Sequence, residues 1–519
     1  AAGPRDVILL NSDTIVTPNW VQRLRHAAHA DPRRGTVTPV SNAAGAFSVP
    51  RGGADQALPD GVAPEDYGRR ISQALPHALV PTPTGSGFCL YMKRAMLDET
   101  GPFDEAAFPR GYGEENDLCM RAGAKGWTHA IDFGTFVWHR RSASFGEAKA
   151  ALLSEGRRVV DARHPGYTAA VKALVENPAA QRHRARIADI GAPGRVRPRI
   201  LFVISTKTGG TPQTNLDLMR AVEGAVDGFL MRCDSRRIEL SRLIGGQLDP
   251  VGTIALSRPI EPRSHGSGEY DAHVARILHD HAIEAVHLRH LAWHGLGLVD
   301  VAKSYGLPVL HSFHDFYTLC PTIKLLDEVG EFCGGTCTAG PGPCRVALWP
   351  EGSLPDLKHG FVRDWRARFS AVLERCDGFV TTSPTTRAVI ERNLPWIAAR
   401  PFDVVPHGRD IVAEGPAAPA GRTPPAPGET LRVLVLGNIN AAKGNLVYRA
   451  MAPHAAALGL EFHALGNWQG DPIDAPGFVH HGPYRRDDLG RWIAELRPHC
   501  GMILSIWPET YCHTLTECW

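Results

Sequence analysis

The feature that most constrains this chain is a regular alternation of apolar runs and helical patterns that begins near residue 199. The runs RILFVIS, EAVHLRH, LPVLHSFHD and DGFVTTS are separated by segments with helical periodicity, and LRVLVLGN opens a further unit near residue 431. Strands that alternate with helices are typical of parallel sheets covered by crossover helices. The sequence therefore predicts an α/β fold with two such units in this part of the chain.

A shorter α/β pattern comes first. Residues 6–10 (DVILL) form an uninterrupted apolar run, which predicts a strand buried on both faces of a parallel sheet, and a helix is expected from about Pro18. Residues 35–80 are rich in Gly, Pro and Ala and predict long loops. The chain starts on a predicted strand and stops inside a predicted helix at LTECW, so we expect a fragment that is truncated at both ends.

Composition excludes several classes of protein. The 56 basic and 54 acidic residues leave a net charge of +2, so no overall field favours nucleic acid or an anionic membrane. No run approaches about 18 apolar residues, which predicts that no segment crosses a membrane, and the first residues lack the pattern of a signal peptide. Eleven cysteines are too sparse for a disulfide scaffold. We expect a cytoplasmic protein, with peripheral contact at the inner face of the membrane left open.

Changes in composition divide the chain into segments. Residues 148–197 are helical and basic, which predicts a solvated connector, and residues 413–430 contain five prolines, which predicts an extended linker. The expected segments are 1–147, 148–197, 198–412, 413–430 and 431–519. A cleft between the last two folded units is the expected place for a ligand.

Polar residues of the first segment form one candidate site. Asn11 and Asp13 follow the first strand, and the Asp13 carboxylate can hold a hard divalent cation, although Asn-Ser-Asp is also a common turn and helix cap. Glu114 and Glu115 are adjacent, so repulsion should raise one pKa, as a general base requires; acidic residues also simply favour a helix N-terminus. His139 follows a short apolar run and could be structural or a ligand.

The stretches LLNSDTIVTPNW, TGSGFCLYMKR, GPFDEAAFPRGYGEENDLCMRAGAKGW and VWH, in this order, resemble the family 2 glycosyltransferases with a GT-A fold, in particular the branch that includes rhamnosyltransferases. The resemblance spans residues 5–145 and implies that Asp13, with Asn11 beside it, binds Mg²⁺ or Mn²⁺ and the donor. It also implies His139 as a metal ligand and Glu115 as the catalytic base. Because the usual Glu-Asp pair is Glu-Glu here, Glu114 is the alternative base. The nucleotide-binding half of that family is absent, so this segment alone is expected to bind its donor poorly.

A second candidate site follows from the later segments. Lys207 to Thr211 form a glycine-containing turn between a strand and a helix, where an anion is favoured. Lys443 lies in the first turn after a strand and opposes the helix dipole, which suggests a phosphate partner, although a solvated lysine is equally compatible. Glu509 and Glu517 are spaced so that one can reach a sugar and the other a ribose.

Residues 199–519 resemble the family 4 glycosyltransferases with a GT-B fold through ISTKTGGTPQTN, HSFHDFYTLCP, VVPHGRD, GNINAAKG and SIWPETYCHTLTECW. The resemblance implies that Lys443 binds the diphosphate, that Glu517 binds the ribose and that Glu509 lies near the donor sugar. It implies that His314 faces the active cleft and that no cofactor is needed. The Arg that often precedes the lysine is not evident. The implied donor-binding residues are Gly209, Gly210, Gly437, Lys443, Glu509 and Glu517.

Four cysteines stand apart from both sites. Cys320, Cys333, Cys337 and Cys344 have the spacing C-x12-C-x3-C-x6-C in a loop-like segment. The spacing is within reach of tetrahedral zinc but lacks paired C-x2-C motifs. Free thiols are the first expectation, structural zinc the second and a disulfide the third.

Together these features predict a bifunctional glycosyltransferase of hexosyl or rhamnosyl type, in which a partial GT-A domain, a helical connector and a GT-B pair of Rossmann-like domains follow one another. By resemblance, the first module inverts and the second retains the anomeric configuration. The expected partners are nucleotide-sugar donors and a glycan or lipid-linked glycan acceptor of a bacterial cell-envelope polysaccharide, without nucleic acid. Two alternatives remain: a non-catalytic nucleotide-sugar-binding scaffold with one decayed module, and a nucleotidyltransferase or epimerase.

Overall fold

The structure is a computed structural model in which three sheets, each with its own helices, follow one another along the chain. The described residues are 3–109, 112–140, 146–190, 196–205, 210–337, 344, 346, 348–350, 352–355, 360–408, 425–426 and 428–518.

The first domain is built on a mixed sheet of six strands. The strands are β1 (Val7–Leu10), β2 (Thr14–Val16), β3 (Arg34–Val40), β4 (Leu79–Thr82), β5 (Cys89–Met92) and β6 (Thr128–His139), and the helices are α1 (Trp20–His29), α2 (Pro64–Ala74), α3 (Arg94–Thr100) and α4 (Glu114–Ala124). The strand order is β1-β5-β3-β6-β2, with β4 paired to β6. Leu24 of α1 and Ile71 of α2 are fully buried in a core with Val37 and Phe133.

Two expectations for this domain are wrong. The run DVILL is not an internal parallel strand, because β1 lies at the edge of the sheet and pairs antiparallel with β5. Its apolar pattern arises because Val7 and Leu9 pack on one cluster and Ile8 on another. Residues 35–80 are not long loops: they contain most of β3, all of α2 and the start of β4.

Three helices follow: α5 (Gly146–Arg163), α6 (Tyr167–Glu176) and α7 (Pro178–Asp189). The prediction of a solvated connector is wrong for them, because Leu174, Ala180 and Ile187 are buried in the core of the first domain. Arg184 is also buried, and its guanidinium donates to the carbonyl oxygens of Ala46 (2.6 Å) and Ser48 (3.3 Å). These bonds allow a basic side chain to lie inside the protein.

The second domain has an eight-stranded sheet. Its strands are β7 (Arg199–Ile204), β8 (Asp227–Cys233), β9 (Arg237–Ile244), β10 (Gln247–Ala255), β11 (Ala285–Leu288), β12 (Val309–Phe313), β13 (Gly378–Thr381) and β14 (Phe402–Val404), and its helices are α8 (Gly210–Val222), α9 (Gly268–Asp280), α10 (Gly297–Ser304), α11 (Gly360–Leu373) and α12 (Pro384–Asn393). The order is β10-β9-β8-β7-β11-β12-β13-β14. The strands from β8 to β14 in this order are parallel, as the alternation predicts. The antiparallel β9 and β10 were not anticipated.

The third domain has a parallel sheet of order β17-β16-β15-β18. Its strands are β15 (Leu431–Leu436), β16 (Leu460–Leu465), β17 (Phe478–Gly482) and β18 (Cys500–Gly501), and its helices are α13 (Asn445–Ala455), α14 (Leu489–Leu496) and α15 (His513–Cys518). The α/β prediction is therefore confirmed. None of the described helices is both long and apolar enough to cross a bilayer.

The first and second domains are in direct contact. Arg69 Nε donates to both carboxylate oxygens of Glu284, at 2.8 and 2.9 Å. The His26 ring stacks on the His279 ring with centroids 4.0 Å apart. The Tyr305 hydroxyl oxygen lies 3.0 Å from His26 Nδ1. Buried polar contacts of this kind fix the orientation of one domain on the other.

Candidate active sites

In the first domain, strand pairing brings Asp13 to His139. Thr14 of β2 is paired with His139 of β6, so the preceding Asp13 lies beside the imidazole, with Oδ1 3.2 Å from Nε2. His139 Nδ1 lies 2.8 Å from the carbonyl oxygen of Ala43. An imidazole that donates from Nδ1 presents the lone pair of Nε2 to a cation, so the carboxylate and the imidazole fit a divalent metal ion.

A short segment, Gly87–Phe88, touches the other predicted residues. The Gly87 amide donates to Glu115 Oε1 at 3.4 Å, and the Phe88 ring stacks on His139 with centroids 5.6 Å apart. The Phe88 carbonyl accepts from the Asn11 amide at 2.9 Å. Asn11, Glu115 and His139 therefore surround one segment of the TGSGF motif.

The two glutamates begin α4 but differ in environment. Burial raises the pKa of Glu115, and the neighbouring Glu114 carboxylate raises it further. Glu114 Oε2 is buried and has no hydrogen-bond partner among the described residues. The Asp117 carboxylate, one turn further along α4, lies 2.7 Å from Arg121 Nε and 2.9 Å from His164 Nε2. It therefore connects α4 to the residue that follows α5.

In the third domain, Lys443 and Glu509 form an ion pair. Lys443 ends a short 3₁₀ turn after β15, and its amide donates to the Asn440 side chain at 3.1 Å. Its Nζ lies 2.6 and 2.5 Å from the two oxygens of Glu509, which also accepts from the Ser505 hydroxyl. The Glu509 side chain is 9% exposed and that of Lys443 27%, so the carboxylate is buried and the lysine side chain is only partly covered.

Two glycines lie against the start of α15, one in the second domain and one in the third. A Cβ on Gly210, at the start of α8, would lie 3.4 Å from His513 Nε2 of α15. Gly437 has φ +103° and a Cβ there would lie 2.9 Å from Thr514 Cγ2, so a larger residue is excluded. Gly209 lies outside the described residues.

His314 lies at the contact between these two domains. Its ring stacks on His407 (5.4 Å), which in turn stacks on His513 (5.8 Å). Burial lowers the pKa of His314 well below its ordinary value, and the charge of Arg289 adds to this effect, so the ring is neutral. Its Nε2 is buried without a hydrogen-bond partner in the described part of the chain, and this leaves a polar atom available to a substrate.

Thr510 joins the two domains at the same place. Its hydroxyl donates to the His314 carbonyl at 2.6 Å, and its own carbonyl accepts from the Thr382 hydroxyl. Nearby on α15, Glu517 accepts from the Tyr484 hydroxyl at 3.2 Å. Glu509 adjoins Thr510, which contacts His314, and Glu517 lies on the helix that begins at His513.

Lys324, which sequence reasoning missed, lies in the second domain close enough to Lys443 and Glu509 to be affected by their charges. Burial lowers its pKa, and the charge of Lys443 lowers it further while that of Glu509 raises it. The flanking Ile323 and Leu325 have φ of +70° and +54°, conformations that cost energy for such side chains and that tend to occur at functional sites. No sequence signal marks this turn. The four cysteines line one cavity in the same loop region.

The sequence matches one protein family over part of its length. Residues 230–412 match the family described as Glycosyltransferase Family 4. This match supports a family 4 glycosyltransferase module that includes these residues. No curated protein matches the sequence.

Several solved structures are similar to this chain. The Anabaena protein Alr3699/HepE in complex with UDP-glucose is 11% identical, with TM-score 0.36 over 62% of this chain and 77% of that chain. The lipopolysaccharide outer core galactosyltransferase WaaB in its apo form is 10% identical, with TM-score 0.37 over 62% and 77%. The catalytic domain of Starch Synthase IV from Arabidopsis thaliana, bound to ADP and acarbose, is 11% identical, with TM-score 0.30 over 62% and 76%.

Proposed function

We propose that this chain is a glycosyltransferase that takes a sugar from a nucleotide-sugar donor in the cleft between its second and third domains. The observation that carries this proposal is the match of residues 230–412 to Glycosyltransferase Family 4. The ion pair of Lys443 with Glu509 across from Lys324 supports it, because a departing nucleoside diphosphate needs cations that are already in position.

Each of the cleft residues has its own role in the transfer. Lys443 and Lys324 balance the charge that grows on the leaving diphosphate, and Gly210 allows the backbone to approach it. Glu509 holds Lys443 and lies near the donor sugar, while Glu517 accepts hydrogen bonds from the ribose. The neutral His314 binds a sugar hydroxyl through Nε2. No metal ion is required for this transfer.

We further propose that the first domain performs a second, metal-dependent transfer of the GT-A, family 2 type. The contact of Asp13 with His139 and the raised pKa of Glu115 on the same segment support this role. Asp13 and His139 hold Mg²⁺ or Mn²⁺, which neutralises a donor diphosphate when it is bound. Glu115 takes the proton of the acceptor hydroxyl. Both transfers then act on one growing bacterial glycan, free or lipid-linked, at the cytoplasmic face of the membrane.

The test uses the full chain, and the longer natural protein where one exists, with a panel of nucleotide sugars and measurement of nucleoside diphosphate release with and without chelator. Lys443→Ala should weaken nucleoside diphosphate binding by roughly 30- to several thousand-fold, because a charged partner of a buried ligand is lost. Asp13→Ala should abolish only the chelator-sensitive release. Lys172→Ala, at an exposed position of α6, is the control and should change neither.

Two outcomes contradict the proposal. If folded Lys443→Ala loses both activities equally, one composite site replaces the two. If nucleotide sugars bind to the first domain without any chelator-sensitive release, that domain is a scaffold and not a transferase.

A further inference from the structure

Three side chains that can ligate a metal ion lie together where the first and second domains meet. His77 lies between α2 and β4 of the first domain, and His279 and Asp280 end α9 of the second. One donor atom from each of the three lies within 4.8 Å of the other two. Elsewhere in the part of the chain that the structure describes, no three histidine, cysteine or carboxylate donors are grouped as closely. Neither proposed transfer uses this cluster.

The distances within the cluster suit a shared ion. His77 Nε2 lies 2.6 Å and His279 Nδ1 3.4 Å from Asp280 Oδ1. Two ligands of one tetrahedral zinc ion, each about 2.0–2.1 Å from the metal, lie roughly 3.3 Å from one another. The contact of His279 with Asp280 already has this length. The His77 side chain is 58% exposed and can rotate, so its contact can widen by the roughly 0.7 Å that remains.

The His26 ring covers His279 without blocking its nitrogen. The two rings stack with an interplanar angle of 25°, and the His279 side chain is 5% exposed. A metal ion bonds to an imidazole in the plane of the ring, so a neighbour on the ring face leaves Nδ1 available. Because the His279 side chain is already held in place, binding an ion costs little of its conformational entropy.

Hydrogen bonds fix the backbone on both sides of the cluster. The Arg23 guanidinium donates to the Pro76 carbonyl at 3.1 Å, directly before His77. On the other side, the Ala282 amide donates to the His279 carbonyl at 3.0 Å and closes the turn after α9. The ligands are therefore presented by two ordered segments, one from each domain.

We propose that His77, His279 and Asp280 bind one zinc ion that joins the first domain to the second. Imidazole nitrogen and carboxylate oxygen are both zinc ligands, and three protein ligands leave the fourth position to a water molecule. A proton on a coordinating nitrogen moves to the other ring nitrogen or to solvent, and no group is oxidised. Because the ligands come from both domains, the ion binds only the docked pair and stabilises their contact.

The first test counts zinc in the full chain. Chelator-treated protein is mixed with zinc and an excess of Mg²⁺, which occupies sites made of oxygen ligands, and is passed through a desalting column. His77→Ala should retain one zinc ion fewer per chain than the parent protein, and Asp280→Asn should do the same.

His29→Ala is the matched control for His77→Ala. His29 is also an exposed histidine of the first domain, and its Nε2 lies 2.7 Å from an Asp6 carboxylate oxygen. Unlike His77, it belongs to no group of three such donors among the described residues. His29→Ala should therefore bind as much zinc as the parent protein.

The second test follows the contact between the domains. Free zinc at about 100 times its dissociation constant should raise the melting temperature of the parent protein and of His29→Ala by roughly 5 °C or more. The rise should be much smaller in His77→Ala, which removes only an exposed side chain and is expected to fold.

A third measurement needs no variant. X-ray absorption at the zinc edge, on parent protein loaded with one equivalent of zinc, should show nitrogen and oxygen ligands at about 2.0–2.1 Å with imidazole scattering. Equal zinc in the parent protein and His77→Ala, equal losses in His77→Ala and His29→Ala, or a shell of sulfur ligands at about 2.3 Å would each overturn the proposal.

Discussion

Glu115 combines two properties that a carboxylate base requires. Burial and the adjacent Glu114 raise its pKa, so the carboxylate binds a proton more readily than an ordinary glutamate. The Gly87 amide at 3.4 Å holds its Oε1 on the segment that also contacts His139. A base with a raised pKa and a fixed position is well matched to taking a proton from a sugar hydroxyl.

This environment predicts a specific pH dependence. Because Glu115 must be deprotonated to act and its pKa is raised, the acidic limb of the metal-dependent transfer should lie above the ordinary glutamate range. Glu115→Gln should remove that limb and lower kcat by about 10²–10⁴, with little change in donor binding. The measurement is kcat across pH for both proteins. Glu114→Gln is the control, and a loss confined to that variant would move the base by one residue.

The helices after the first sheet determine how its candidate site is enclosed. α5 approaches the chain just before α4 so closely that a Cβ on Gly156 would lie 1.6 Å from the Tyr112 carbonyl oxygen. His164, after α5, is hydrogen-bonded to Asp117 of α4, and Tyr167 of α6 interacts with Glu115. The helices are thus part of the first domain and not a spacer.

Gly156→Ala tests this packing. The added methyl must displace α5 from Tyr112, so the melting temperature should fall by roughly 2–6 °C despite the better helix propensity of alanine. Gly123→Ala is the matched control, because Gly123 is an exposed helical glycine of α4 with nothing within 4 Å of its Cβ position. Differential scanning calorimetry of both variants decides the matter, and equal melting temperatures would show that α5 does not pack as described.

The elements that sequence reasoning predicted well are those whose pattern is local. The parallel strands β7, β11 and β12 were visible because each is a short apolar run between helical patterns. The edge position of β1 was not visible, since an apolar run shows that both faces are covered but not which strand is the neighbour. Arg184 and Lys324 were missed for related reasons. The partners of Arg184 come from a segment distant in sequence. The residues on either side of Lys324 have backbone conformations that their residue types disfavour.

The first two domains meet through a group of histidines whose protonation is linked to their contact. Burial and the charge of His279 lower the pKa of His26 to about 4, and burial lowers that of His279 as well. The titratable and charged groups around His26 also include His77, Asp280 and Arg23. His77 Nε2 lies 2.6 Å from an Asp280 carboxylate oxygen. The unfolded chain takes up the His26 proton near pH 6.5, whereas the folded protein resists it, so the free energy of unfolding falls as the pH drops between these values.

The acid sensitivity of this contact can be measured. Between about pH 7.5 and pH 5, the melting temperature of the parent protein should fall more than that of His26→Phe, which keeps a ring at the stack but cannot take up a proton. His454→Phe, at an exposed position of α13, is the control and should follow the parent. Parallel curves for the parent and His26→Phe would show that protonation of His26 does not weaken the contact.

Thr510 has a mechanical consequence for the cleft between the second and third domains. It accepts a hydrogen bond from Thr382 and donates one to the His314 carbonyl, so both bonds converge on a single residue. The His513 ring also stacks on His407, and the Trp507 ring lies against Phe316, so Thr510 is one of several contacts between the two domains. The two domains can therefore separate only if several of these contacts break together.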